Sequence, residues 1–170
     1  MLCIDFATLT ISRSVSNSHI PAVQSSGVAP LSELLGNRLF VLFDGHCALC
    51  HASVRWLLRH DRYDRLRFAP SQSPAAQAIL GTSSHEAPNS ILVLTPATDG
   101  QPCLLTHSTA VLACLAALPA PWPQLAVLAR LIPLPLRDTA YRLIAHLRYR
   151  LARRYTTCPL PTPNDRPHFL

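Results

Sequence analysis

The chain contains no Lys: all fifteen of its basic residues are Arg. Lysine Schiff-base chemistry and the phosphate-cradling lysine of a P-loop are therefore excluded. Glycine is scarce, five against sixteen Pro, which excludes a collagen-like or glycine-linker protein. Six Cys in 170 residues are too few for a small disulfide scaffold. Carboxylates number nine, leaving a formal charge of +6. What is present is an apolar fraction of 49%, enough for a real core in one domain.

The charge is uneven. Residues 130–154 carry +6 and residues 55–67 carry +3, while the rest is neutral or slightly acidic. A basic stretch attracts nucleic acid, anionic lipid or an acidic partner, or is simply a solvated helix face. The first 37 residues read as a Ser-rich extension, with Asp5 where a signal peptide would turn apolar. Residues 108–129 carry no charge, but Pro119, Pro121 and Pro123 interrupt them. A buried helix, a proline turn and a second helix fit that run better than a membrane span.

The apolar periodicity gives an order of elements. Arg38 to Phe43 reads as a buried strand ending at the Asp44-Gly45 turn, and Cys47 to His60 as a helix. Leu66 to Ala69 is a second strand. Ser73-Pro74 opens a helix to Leu80. Ser90–Thr95 and Cys103–Thr106 are strands flanking the Asp99-Gly100 turn, and Ser108 caps a helix through Leu118. The order is β-α-β-α-β-β-α, the order of a thioredoxin-like α/β core. The core is expected over 38–118, with a C-terminal helical segment over 119–170. In that segment residues 136–154 form a basic amphipathic helix. Its apolar stripe is Leu136, Ala140, Leu143, Ile144, Leu147 and Leu151. The Arg excess then belongs to this helix and stays apart from the chemistry.

The chemistry points to Asp44-Gly45-His46-Cys47-Ala48-Leu49-Cys50-His51. Two Cys three apart, opening a helix straight after a strand, put both sulfurs on one turn. Helix N-terminal N–H groups and the helix dipole stabilise a thiolate at Cys47, which makes it the attacking thiol. Cys50, one turn in, is expected to be the more buried resolving thiol. Asp44 has two open roles: shaping the turn, which Asp-Gly favours, or moving protons for Cys50. His46 is expected as a solvent-facing neighbour. A thioredoxin-type site also needs a Pro before the third strand, and Pro88 is the candidate. Cys103 and Cys114 fall on apolar positions and read as buried free thiols. Cys158 is either a lone tail thiol or a third redox cysteine.

Other readings of these residues exist. Cys47-Ala48-Leu49-Cys50-His51 is also the C-x-x-C-H pattern of c-type haem attachment, although the only Met is Met1 and no export signal precedes it. A zinc knuckle would need a second C-x-x-C, and none exists. The basic helix, with Tyr141, Tyr149 and Tyr155 among its Arg, could belong to a binding module without redox activity.

The chain resembles the DCC family of thiol–disulfide oxidoreductases at Asp44, Cys47 and Cys50, which match its D-x-x-C-x-x-C signature. The resemblance continues through Val54–Arg59 and Leu66–Pro70. It resumes at Ser90–Leu94, Ser108-Thr109-Ala110, Ile132-Pro133, Arg137-Asp138, Tyr141, Ala145, Arg148-Tyr149 and Cys158. Ala48 stands where the family often has Pro, and Thr109 where an acidic residue is common. The resemblance implies a thioredoxin-like redox protein, and the N-terminus without a convincing secretory signal makes a cytoplasmic location the expectation. The protein would exchange dithiol for disulfide through Cys47 and Cys50, without a cofactor or metal. The expected partners are disulfide- or dithiol-containing proteins or small molecules; on the residues themselves, nucleic acid is disfavoured by the lack of a recognised motif and an integral membrane by the prolines in 108–129.

Overall fold

A computed structural model describes residues 3–4, 11–12, 36–74, 76–77, 90–96, 103–152, 155–156, 163 and 165–169. A short antiparallel pair, β1 (Cys3–Ile4) and β2 (Ile11–Ser12), lies apart from the main sheet. The main sheet is β3 (Leu39–Phe43), β4 (Leu66–Pro70), β5 (Leu92–Thr95) and β6 (Cys103–Thr106). Its spatial order is β4-β3-β5-β6. β3 and β4 are parallel, while β5 runs antiparallel to both β3 and β6. This is a thioredoxin-like α/β sheet, as the order of elements predicts.

β3 is a central strand because both of its faces are apolar. Val41 and Phe43 point into a core shared with Val54, Leu57, Phe68, Ala110 and Cys114. Phe40 and Leu42 point the other way, onto Ala69, Ala76, Leu92 and Leu94. The first of these cores is closed by α1 (Ala48–His60) and α2 (His107–Ala117). The opposite face meets the helical turn at Ser73, whose Oγ accepts the Ala76 N–H at 3.2 Å. Only the start of that expected helix lies within the described residues, and the Asp99-Gly100 turn lies outside them.

α1 connects directly to β4 through Asp61. Its carboxylate accepts the N–H groups of Arg65 at 3.1 Å and Leu66 at 2.8 Å. Two further helices follow the core: α3 (Trp122–Arg130) and α4 (Leu134–Leu151). Trp122 of α3 packs edge-on against Trp56 of α1, with ring centroids 4.6 Å apart. Among the described residues no helix is long and apolar enough to cross a membrane.

Three expectations are corrected here. Ser108 does not cap α2; the N-cap is Thr106, and Ser108 is buried in the first turn. Its Oγ donates to Asp138 Oδ1 and accepts from Arg137 Nε at 3.1 Å, both on α4. The expected apolar stripe of α4 does not face the core: Leu136, Leu143 and Ile144 are exposed. The inward face instead carries Arg137, Asp138, Tyr141 and Arg148, because these side chains answer polar groups of the core. Cys103 is not a free thiol; it is disulfide-bonded. Cys114 is free and fully buried, and burial pushes its thiol up to about 12.

Candidate functional site

The D-x-x-C-x-x-C segment joins the end of β3 to the start of α1. Asp44 O accepts the Cys47 N–H at 3.2 Å, and Asp44 Oδ1 accepts the His46 N–H at 2.9 Å. These two bonds wind the chain into a turn and deliver Cys47 to the N-cap of α1. There Cys47 Sγ accepts the Cys50 N–H at 3.4 Å, as a capping oxygen would. The helix N-terminus and both thiols thus occupy one turn, as the spacing predicts.

The order of burial is reversed from expectation. Cys47 is 0% exposed, whereas Cys50 is partly exposed. Both are free thiols. Burial pushes the Cys50 thiol up to about 12, with the hydrogen bond and charge of Cys47 adding to the effect. Cys50 is therefore held as a protonated thiol at neutral pH.

Around the turn, His51 Nε2 sits 2.9 Å from Gly45 O, and its ring meets Phe43 and Tyr155 edge-on. Tyr155 N–H donates to His46 O at 2.8 Å, drawing the chain beyond α4 back to the loop. His46 is partly exposed, with Nδ1 3.9 Å from Asp44 Oδ1. A c-type haem would need His51 as an axial ligand, and that ring nitrogen is already turned onto a backbone carbonyl. The residues present do not fit that group. No cluster of three metal-ligating side chains occurs among the described residues. Pro88 and Cys158 lie outside the described residues.

The site also contains residues that spacing alone does not reveal. Asp44 is buried at 6% exposure, and so is Arg148, at 4%. Arg148 Nη2 donates to Asp44 Oδ2 at 2.9 Å across 104 residues of chain. Tyr149 Oη donates to the same oxygen, and the Arg148 guanidinium lies 4.8 Å from the Tyr149 ring centre. Gln72, just past β4, donates from Nε2 to Asp44 Oδ1 at 3.3 Å and accepts the Gly45 N–H at 3.1 Å. The expectation that the Arg excess stays apart from the site is thus overturned at Arg148. The only advance signal was the adjacent Arg148-Tyr149 pair among the residues of resemblance.

These contacts decide the charge state of Asp44. Burial opposes its ionisation, but the Tyr149 hydroxyl, the His46 N–H, Arg148 and Gln72 outweigh burial. The carboxyl is held below its ordinary range. Arg148 is desolvated too, and Tyr149 and Asp44 more than restore its cationic form. A lone charge in either position would be strongly unfavourable, so the two depend on each other. The arrangement makes Asp44 a fixed carboxylate at the junction of β3, α1 and α4.

The family model of the DCC1-like thiol-disulfide oxidoreductases matches residues 41–154. The uncharacterised protein YuxK of Bacillus subtilis is 33% identical over 142 residues, covering 82% of this chain and 98% of its own length. A chloroplastic DCC family protein of Arabidopsis thaliana is 34% identical over 123 residues, covering 72% of this chain and 70% of its own length. No solved structure matches the chain. With the signature turn intact and two thirds of the sequence matched, the chain belongs to the DCC1-like thiol-disulfide oxidoreductase family.

Proposed function

We propose that the protein exchanges dithiol for disulfide through Cys47 and Cys50, acting on a disulfide- or dithiol-containing protein or small molecule. The observation that carries this reading is the Cys47 sulfur at the N-cap of α1, accepting the Cys50 N–H one turn away from the second thiol. Family membership supports a redox role in general terms.

In the reducing direction, the Cys47 thiolate attacks one sulfur of the substrate disulfide. A Cys47–substrate disulfide forms, and the other substrate sulfur leaves as a thiolate that takes up a proton. Cys50 then gives its proton to solvent water, from which the released substrate thiolates are protonated, and attacks Cys47 Sγ. The Cys47–Cys50 disulfide forms, and the second substrate thiolate is released. Two electrons pass to the substrate, and the reverse sequence oxidises a dithiol. The raised Cys50 thiol keeps it from competing in the first step, and the part of that rise due to the charge of Cys47 is lifted once Cys47 is held in the mixed disulfide.

Asp44 is read as a positioning residue, not as a proton carrier. Its carboxyl is tied by Arg148, Tyr149, Gln72 and the His46 N–H, and is held below the range in which it would pick up a proton. Because Cys47 is shielded, a substrate disulfide reaches its sulfur only when neighbouring chain moves aside. The test is reaction with a small aromatic disulfide followed by intact mass. Cys47→Ser should abolish the mixed disulfide, and unchanged reactivity would refute the assignment.

A further inference from the structure

Nine of the thirteen exposed large apolar side chains among the described residues fall between Leu125 and Ile144. They belong to α3, to the turn that follows it, and to α4. Leu128, Leu131, Leu136 and Leu143 are 61%, 77%, 63% and 60% exposed. A groove lined by Leu125, Leu128, Ala129, Leu131, Ile132, Pro133 and Leu136 joins the two helices, so the patch is continuous. On α4, Leu136, Ala140, Leu143 and Ile144 share one stripe by helical spacing. Arg142 and Arg150 are exposed; by helical spacing Arg150 continues the edge of that stripe beyond Leu143, and Arg142 lies on the side of the helix between the stripe and the inward face. Soluble monomers rarely expose apolar surface in this concentration without an occupant.

Charge identifies the occupant. Residues 101–164 contain seven Arg and a single carboxylate, Asp138. Of these Arg, Arg148 is buried on Asp44 and Arg137 is half-buried beside Asp138 on the Ser108 hydroxyl, whereas Arg142 and Arg150 are exposed and no Asp or Glu occurs from 139 to 164. A second copy would bring one basic face against another. An extended peptide would need partners for its backbone, and the groove lining offers no polar side chain; a helical peptide satisfies its own backbone but would still have to answer the exposed Arg. Hydrocarbon needs no such partners, and anionic headgroups answer Arg at the edge of an apolar helix face.

We infer that the α3–α4 hairpin is a peripheral membrane-binding face, which seats Leu128, Leu131, Leu136 and Leu143 among the acyl chains of an anionic lipid surface, with Arg142 and Arg150 on the headgroups. The membrane is touched and not crossed.

The experiment is sedimentation of the full chain with vesicles of phosphatidylcholine alone or mixed with phosphatidylglycerol. The expected result is uptake by the mixed vesicles at low salt, weaker at high salt, and little uptake by phosphatidylcholine alone. Replacing Arg142 and Arg150 by Gln should weaken uptake about thirty-fold. The combination Leu128→Gln, Leu131→Gln and Leu136→Gln should abolish it. Disulfide reduction by these variants should remain at the wild-type level, which also reports that they fold. Cys47→Ser should bind vesicles as the wild type does, so loss of the redox reading and loss of this one are separable. No uptake by the mixed vesicles at low salt, or equal uptake by both vesicle types, overturns the proposal. So does a dimer in solution that Leu131→Gln dissociates while vesicles are ignored.

Discussion

The two faces of α4 differ in the opposite sense to most surface helices. Its inward side carries Arg137, Asp138, Tyr141 and Arg148, while Leu136, Leu143 and Ile144 are exposed. Each inward polar group meets a specific partner. Tyr141 Oη accepts the Ile91 N–H at 2.9 Å, Asp138 accepts from Ser108, and Arg148 grips Asp44. α1 is attached in the ordinary way, by Val54 and Leu57 in the apolar core. The contrast teaches that α4 is held by directional bonds, which fix one register against the redox turn. Apolar packing alone would tolerate small slips. Among the described residues, Leu136, Leu143 and Ile144 on the apolar side of α4 stay exposed.

The comparison is broken most severely at Arg148. Arg148→Leu should cost about 3–5 kcal/mol in urea unfolding, because it strands a buried carboxylate. Adding Asp44→Asn should recover much of that loss, and strictly additive losses would mean that the pair is not coupled. The same pair gives an acid limb. The Asp44 carboxyl is held lower in the folded than in the unfolded chain, so its contribution is complete above the unfolded value near 4. It is lost as pH falls through the depressed folded value. Asp44→Asn should flatten that part of the stability curve.

Smaller effects sharpen the contrast. Ser108→Ala leaves Asp138 and Arg137 without the Ser108 hydroxyl and should cost about 2 kcal/mol by thermal unfolding. Tyr149→Phe removes one of the donors on Asp44 and should cost about 1 kcal/mol, with activity largely kept. On the outward face, Leu143→Gln should change stability in solution by less than about 0.5 kcal/mol. A large loss there would show that the face is packed after all.

Much of the core was legible in the sequence because its cues are local. The apolar run at β3, the turn at Asp44-Gly45 and the two Cys at the head of α1 lie within a dozen residues of one another. The C-terminal helix was legible as a helix, but its facing was not. Periodicity assigns the apolar stripe inward by default, and it holds no information about which distant polar group awaits a partner. Arg148 reaches Asp44 across 104 residues, and no spacing rule connects them. The reversed burial of Cys47 and Cys50 has a similar origin. Position along a helix says how far a residue is from the helix end, not what other parts of the chain bring over it. Ser108 reads as a cap by its residue type, but its hydroxyl is engaged by α4.

The most direct test of the account is to trap the intermediate. Cys50→Ser, treated with glutathione disulfide and digested under acid conditions, should carry one glutathione on Cys47, stable until a reductant is added. The wild-type chain should instead accumulate the Cys47–Cys50 disulfide. Glutathione on another cysteine, or no adduct while the wild type still consumes the disulfide, would contradict attack by Cys47 and resolution by Cys50.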